Sequence, residues 1–412
     1  MSLSSIYTWP LEAPAFYTLE ITSACNNTCT GCGNVFLHKN VPLLRFASWH
    51  KILEKIIPWA KKIKITGGEP TLHPDFIQIV EDISDSKVPF SIFTNGIWVD
   101  SLKLIRTLVN ASSCSGLLVS LHGDTPSLHA SFGGKPETFN EIVNNIKLAI
   151  SHGLPVSIST VITKSNSDYI SEIVAFSECL GVEHIAFNRY IGTNFDIQPS
   201  TSQFRNAIRI IENKISQGKK IGYGVCIPFC FEPNQSHGCS AGTAYGAIDP
   251  WGKVRPCAHS LVTTKASLLE TSIQDIWASE EIENWRQQLV SGCDGCKAVS
   301  VCRGGCTALK QLCGLEHDPL MNTQLSIDTW VRPQVLLPSK AFVKPKYDLI
   351  ERGEILILVS DTGILNLSMD AKHLLNALDS LSLEEISDKS EKPLLDFVGY
   401  LYARGMVDIV LN

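Results

Sequence analysis

The chain has little that would send it to a membrane, a nucleic acid or the secretory route. No apolar run in its 412 residues approaches the length of a bilayer span. Met1 to Pro14 lacks both a basic region and an apolar core, so no signal peptide is expected. There is no basic excess: the net charge is −6, which does not invite nucleic acid. Charged residues make up only 18% and hydrophobic residues 44%, the balance of a soluble globular chain with two or three domains. A cytoplasmic, membrane-free protein is expected. Against these absences stand 14 cysteines. Without a secretion signal they argue for metal ligation in a reducing compartment rather than for disulfides.

The cysteines are clustered. Cys25, Cys29 and Cys32 form a C-x3-C-x2-C run, and nine more lie between positions 226 and 313. A trio this tight can face one metal centre and leaves one coordination position short of four. Zinc with an open site and an iron–sulfur cube with one open iron both fit that count.

The chain up to about 218 alternates between strand and helix patterns. Apolar, β-branched runs predict strands at Phe16–Thr22, Lys62–Thr66, Phe90–Thr94, Leu117–Leu121, Val156–Thr163 and His184–Arg189. Between them, Ser48 reads as a helix cap, Asp75 follows Pro74 before another helix, and Thr138 to Glu141 reads as a capping box. A helix opened by Ser167 or Asp168 stops at Gly181, and a last one runs about 201–217. Six strand-then-helix units joined right-handedly predict an α/β fold, a partial (β/α)6 TIM-like barrel. The unusual residues fall at the C-terminal rim: the cysteine loop, then Gly67-Gly68-Glu69-Pro70, Asn95-Gly96, and Ser120, with Thr160 and Arg189 on the later strands.

A C-x3-C-x2-C loop followed by Gly-Gly-Glu-Pro in this order resembles the radical S-adenosylmethionine (SAM) superfamily. The resemblance implies a [4Fe–4S] cluster on Cys25, Cys29 and Cys32, with SAM on the open iron. It implies that Gly67, Gly68 and Glu69 hold the SAM amino group. Ser120, Thr160, Asn188 and Arg189 resemble positions touching its ribose or carboxylate, Arg189 being the candidate partner of the carboxylate. The family usually has an aromatic residue before the third cysteine, where this chain has Gly31.

Farther on, Cys239, then Gly252-x4-Cys257, then Cys293-x2-Cys296-x5-Cys302-x3-Cys306 form a dense pattern. Spacing alone leaves zinc and iron–sulfur both open. The order resembles the SPASM extension of radical SAM enzymes, a cysteine-rich iron–sulfur domain expected at 219–325 after the barrel at 15–218. That implies one or two auxiliary [4Fe–4S] clusters: Cys239, Cys257 and Cys306 with Cys230 or Cys226 on the first, and Cys293, Cys296 and Cys302 on the second. The family closes the second with a cysteine after an Asp-Pro pair. Here Asp318-Pro319-Leu320 leads to Met321, so either Cys313 takes that place or the site is open. Cys114 and Cys179 read as packed thiols.

After a linker at 326–341, residues 342–412 carry seven Lys or Arg against twelve Asp or Glu. A hairpin about Asp361-Thr362, a helix capped by Ser368, a capping box at Ser382 to Glu385 and a helix from Pro393 to Gly405 predict a small winged-helix-like module, too acidic to read DNA. It resembles the PqqD-like leader-binding domain (RRE) of ribosomally made, modified peptide pathways. That implies strand addition of a leader peptide at Gly363, Ile364, Leu365, Asn366 and Leu367.

The whole then resembles a radical SAM/SPASM peptide maturase. A 5′-deoxyadenosyl radical would abstract hydrogen from a precursor peptide to give a thioether, a C–C or C–O crosslink, or a backbone excision. A low-potential donor such as flavodoxin or ferredoxin would supply the electron. Asp249, His259, His122 and Tyr190 are candidate general bases. Two alternatives stand beside it: a radical SAM maturase of a folded protein, and a zinc-binding winged-helix regulator.

Overall fold

The computed structural model describes residues 11–36, 43–232, 238–288, 292–293, 296, 302–321, 341–352, 355–360, 363–378, 382–385, 397–398, 401 and 406–411. Six strands stand where the apolar runs predict them: β1 (Phe16–Glu20), β2 (Lys62–Thr66), β3 (Phe90–Thr94), β4 (Cys114–Ser120), β5 (Val156–Ile162) and β6 (His184–Arg189). The intervening helices are α1 (Phe46–Ile56), α2 (Phe76–Asp85), α3 (Ser101–Asn110), α4 (Pro126–Gly133) with α5 (Phe139–Ser151), and α6 (Ile170–Leu180), followed by α7 (Thr201–Ser216). All pairings from β1 to β6 are parallel and in chain order. This is the partial (β/α)6 barrel expected.

The sheet is wider than the pattern predicts. It has nine strands in the order β7-β6-β5-β4-β3-β2-β1-β8-β9. The additions are β7 (Ile221–Tyr223), parallel to β6, and the hairpin β8 (Tyr245–Ile248) and β9 (Val254–Arg255), whose first strand runs parallel to β1. The cysteine-rich segment is therefore grafted onto the barrel's first strand. A buried Arg255–Glu20 ion pair fixes the graft.

Alternation along each strand sorts the side chains. Leu19, Ile21, Ile63, Ile65, Ile92, Val119 and Ile158 face the helices and form one core with Trp49, Phe76 and Trp277. The opposite parity, including Lys64, Phe93, Ser120, Ser159 and Asn188, lines the barrel interior and is only half-buried.

Two predicted helix caps are not formed. Asp75, rather than Ser48, caps α1 from across the fold: its carboxylate accepts Phe46 N at 2.9 Å and Arg45 Nε at 2.7 Å. Thr138 donates its hydroxyl to Lys135 O and closes a short 3-10 turn, so no capping box opens α5. The predicted stop at Gly181 is present, with that glycine left-handed at φ 81°, but the helix opens at Ile170, past both Ser167 and Asp168.

The last segment begins at β10 (Ala341–Pro345), which starts on the final residue of the predicted linker and pairs with the final strand β14 (Val407–Leu411). A separate antiparallel sheet holds β11 (Tyr347–Arg352), β12 (Ile355–Ser360) and β13 (Gly363–Ser368), in that order. A helix, Lys372–Leu378, follows. The Ser382 capping box forms, with Ser382 N donating to Glu385 Oε2 and Glu385 N to Ser382 Oγ. Most of the predicted Pro393 to Gly405 helix and the Asp361-Thr362 turn lie outside the described residues. One face of β12 (Leu356, Leu358) closes this segment's own core. The other (Ile357, Val359) packs on Ala15, Leu11 and Phe16 at the start of β1, and Lys61 pairs with Asp348 beside it.

Candidate functional site

The cysteine loop follows β1 and is tied down on both sides. Asn27 Nδ2 donates to Gly133 O at 2.7 Å, Thr30 N to Phe132 O at 3.0 Å, and Asn34 Nδ2 to Gly67 O at 2.7 Å. The three thiols are within electrostatic reach of one another. Asn27 N and Asn95 Nδ2 both point hydrogens at Cys25 Sγ, at 3.4 and 3.8 Å. Burial pushes the Cys29 thiol up to about 12, and its two cysteine neighbours push it further the same way. Three thiols brought together this way, Cys25 and Cys29 half-buried and Cys32 exposed, are poor anions alone and good ligands once a cationic centre takes their protons.

The Gly-Gly-Glu stretch has a different first task from the one its sequence suggests. Gly68 N donates to Thr22 O at 2.8 Å and Glu69 N to Ala24 O at 2.7 Å, so the two loops lie backbone against backbone. A Cβ on Gly68 would come within 2.6 Å of the Ala24 carbonyl carbon, and Gly67 sits at φ 154°. The glycines let the second loop press on the first, and that brings Glu69 beside Cys25. Glu69 is fully buried and held by Thr71 Oγ1 (2.7 Å), Thr94 Oγ1 (2.9 Å) and Asn95 N (2.8 Å). Burial raises its pKa, and these donors oppose the rise. Thr71 and Thr94 carry no motif and were not foreseen.

Gly31 is also filled from elsewhere. A Cβ there would stand 2.7 Å from the Tyr190 ring and 2.8 Å from the Phe132 ring. Phe132, Tyr190 and Ile197 form a small cluster on which Cys29 packs. Aromatic surface thus reaches the loop from α4 and from the end of β6.

Strand parity separates the remaining barrel residues. Ser120 and Asn188 face the interior, and Asn188 Nδ2 donates to Ser159 Oγ at 2.9 Å. Ser159, paired in register with Ser120, was missed. Thr160 and Arg189 face the other way. Thr160 is fully buried among the helix-facing residues and donates to Leu121 O at 2.6 Å. Arg189 makes a two-point buried pair with Asp318, Nη1 to Oδ2 at 2.6 Å and Nη2 to Oδ1 at 2.9 Å. Asp318 Oδ2 also accepts Cys306 N at 2.7 Å. Arg189 therefore links β6 to the cysteine-rich region instead of facing the cavity where it was expected.

Beyond the barrel the thiols sort into groups. Cys226 is hydrogen-bonded with Cys239 and with Cys306, and Cys257 lies within charge reach of both. The Cys226 contact lowers Cys239 to about 6, against the effect of burial, with help from Arg303. Burial raises Cys257 to about 12. Cys302 belongs elsewhere: it is buried, accepts from the backbone of Phe229, Gly304 and Gly305, and feels Cys230. Cys313, at the end of the helix Thr307–Cys313, donates to Gly192 O at 3.5 Å and faces the loop after β6.

No cysteine is in a disulfide. Among the described residues, no three His, Cys, Asp or Glu side chains stand close enough to hold one ion. Sulfurs on one tetrahedral zinc would lie about 3.8 Å apart, given Zn–S of about 2.3 Å. Thiolates on separate irons of a cube are spaced more widely, and the all-thiol donor sets are of the kind such a cluster takes.

Three of the four candidate bases are engaged. His122 Nδ1 accepts Val161 N at 3.1 Å, Asp249 holds Trp251 N, Lys253 N and Thr263 Oγ1, and the Tyr190 hydroxyl accepts Asn194 N. His259 keeps a buried Nδ1 without a partner. Its backbone N donates to Cys257 Sγ at 3.5 Å while its ring lies against Gly33, next to Cys32. Burial, then the nearby Arg255 charge, lower it to about 4.

Comparison with known proteins agrees with this arrangement. Residues 19–177 match the profile of the Radical SAM superfamily, and residues 239–307 match that of an iron-sulfur cluster-binding domain. The chain is 26% identical over 328 residues to Mycofactocin maturase MftC of Mycobacterium ulcerans (strain Agy99), covering 75% of this chain and 87% of that protein. It is 24% identical over 314 residues to the PqqA peptide cyclase of Bradyrhizobium diazoefficiens, covering 71% and 81%. Its fold is similar to that of Streptococcus suis SuiB bound to precursor peptide SuiA, with a TM-score of 0.67, 19% identity and coverage of 77% of each chain. The chain carries a radical SAM domain followed by a SPASM domain and is a SAM-dependent radical enzyme. Its cofactors are a SAM-binding [4Fe–4S] cluster, SAM and auxiliary iron–sulfur clusters.

Proposed function

We propose that the chain modifies a ribosomally made precursor peptide, with residues 15–218 as the catalytic barrel, 219–325 as the auxiliary cluster domain and 342–412 as a leader-binding module. The observation that carries this reading is the open edge of β13. Among the described residues its outer side has no partner strand, and Leu365 faces the module's own core, so the backbone is what the edge offers. Strand addition is the recognition mode such an edge suits. The opposite edge, β11, is guarded by charge: Asp348 pairs with Lys61, and Glu351 with Lys372 at 2.6 Å. Relatives that are peptide maturases support the same reading.

When bound, SAM and its cluster would supply radical chemistry capable of hydrogen abstraction from an unactivated carbon. In this reading Cys25, Cys29 and Cys32 would hold the cluster, and Glu69, brought beside Cys25, would receive the SAM ammonium. Ser120, Ser159 and Asn188 present hydroxyl and amide groups from the cavity wall to the ribose. Phe132 and Tyr190 exclude water beside the loop. His259 stands as a neutral imidazole beside the loop, its ring against Gly33 and its pKa lowered to about 4, first by burial, which disfavours a protonated form there. A low-potential donor such as flavodoxin or ferredoxin would supply the electron.

The test uses short peptides encoded beside the gene. The full chain is expected to bind one of them, and to move deuterium from it into 5′-deoxyadenosine. A chain lacking 341–412 should keep SAM cleavage and lose that binding. Equal binding by both forms would remove the leader role from the module.

A further inference from the structure

The eight cysteines between 226 and 306 divide four and four. The first set is complete in the structure without Cys230: Cys226 contacts Cys239 and Cys306, and Cys257 faces the latter two. Cys226 therefore fills the place that the sequence leaves open between it and Cys230. The second set lacks a fourth thiol if only the C-x2-C-x5-C run is counted. Cys313 stands with the first set instead, within charge reach of Cys306 and in the same cluster as Cys226, Cys239 and Cys257. Met321, with N donating to Asp318 O at 2.8 Å, offers at most a thioether.

Cys230 lies where the missing thiol is needed. It follows Phe229, whose N–H points at Cys302 Sγ, and its own thiol is within charge reach of Cys302. The segment is fixed rather than trailing: Phe231 N and Glu232 N both donate to Pro228 O, and Phe231 packs on Phe204 with Arg205 over its ring. At the other end of the set, Cys296 N donates to Cys293 O at 3.0 Å.

We infer that Cys230 is the fourth ligand of the second auxiliary cluster, joining Cys293, Cys296 and Cys302 from the upstream side of the chain. The second site is then closed by thiolate rather than open to substrate. Both auxiliary clusters draw a ligand from the short segment 226–230, which follows β7 directly. The two sites are thereby mechanically coupled to the barrel's edge strand. This inference rests on the cluster-binding reading given above.

The test is a ligand-deletion series on the full chain, reconstituted without oxygen and read by iron and sulfide content and by EPR after reduction. At four irons per cube, the wild type should hold about twelve. Cys230→Ala and Cys302→Ala should each hold about eight, and the double variant also about eight, because both remove the same cluster. Cys226→Ala with Cys230→Ala should hold about four, and Cys313→Ala about twelve. Cys230→Ser keeps the volume of the side chain and should shift the EPR signal of one cluster only, which guards against a folding defect in the alanine variant. An unchanged iron count and spectrum in Cys230→Ala would overturn the assignment. So would loss of four irons in Cys313→Ala, or a wild type with only eight. In each of those cases continued SAM cleavage would leave the radical reading intact. Zinc in place of iron without SAM cleavage would overturn the radical reading itself.

Discussion

The cysteine loop after β1 and the cysteine field beyond β7 hold the same kind of ligand in opposite ways. In the first, three thiols come from eight consecutive residues, and the rest of the fold clamps the loop. In the second, thiols from positions 226 to 306 are gathered by segments distant in sequence. A local motif fixes its own geometry. A dispersed one borrows geometry from pairs such as Arg189–Asp318 and Arg255–Glu20, which fasten it to the barrel. The loop therefore carries both its ligands and their grouping in its sequence, while the field shows its ligands in the sequence but their grouping only in the fold.

The largest expected effect separates the two by activity. Cys29→Ala should reduce 5′-deoxyadenosine formation by at least about 1,000-fold while leaving about eight auxiliary irons. Cys257→Ala should lose about four irons and keep SAM cleavage. Equal loss of activity in both would mean that the regions are one functional unit.

Next comes stability. Asp318→Ala leaves the Arg189 guanidinium buried without its partner and exposes the dispersed site to loosening. A loss of about 3–5 kcal/mol is expected in denaturant titration. The exposed side of the comparison is Arg45, whose side chain is 67% accessible. Arg45→Ala should move the denaturation midpoint far less than Asp318→Ala. If the two variants melted alike, the buried pair would not be what holds the field to the barrel.

A third effect tests the clamp on the loop. Gly68→Ala drives a methyl group into the Ala24 carbonyl. It should destabilise by about 1–3 kcal/mol and raise the KM for SAM, with the auxiliary iron unchanged. Unaltered SAM kinetics would show that the loop does not depend on this approach.

The smallest effect is in pH dependence. Asp75 is held down to about 2, first by its hydrogen bonds from Arg45 and then by Phe46 N and the Arg45 charge, against the pull of burial. A depressed carboxylate contributes stability that is full above its unfolded pKa near 4 and is lost as pH falls toward 2. Asp75→Asn should flatten that part of the acid limb in the metal-free protein, and an unchanged limb would contradict the cap seen at α1.

The legible parts were the local ones. The strands Lys62–Thr66, Phe90–Thr94 and His184–Arg189 match the apolar runs at both ends, because burial on the helix side demands apolar residues at every second position. β8 was not legible, since it is four residues long and its partner β1 lies more than two hundred residues away. Thr160 and Arg189 were misplaced for a reason the sequence does contain. Thr160 shares parity with Ile158 and Ile162, and Arg189 with Ile185 and Phe187, all buried, so both had to face the helices. The same count would have found Ser159 beside Ser120. The division between Cys226 and Cys230 had no such signal, because the residues are four apart in a segment without regular structure.

The most direct measurement reconstitutes the full chain without oxygen, adds SAM and dithionite, and quantifies 5′-deoxyadenosine beside the Cys25→Ala, Cys29→Ala, Cys32→Ala triple variant. The account predicts turnover by the wild type and none by the variant, with the auxiliary iron retained in both. Equal 5′-deoxyadenosine from the two proteins, or none from an iron-loaded wild type, would contradict it.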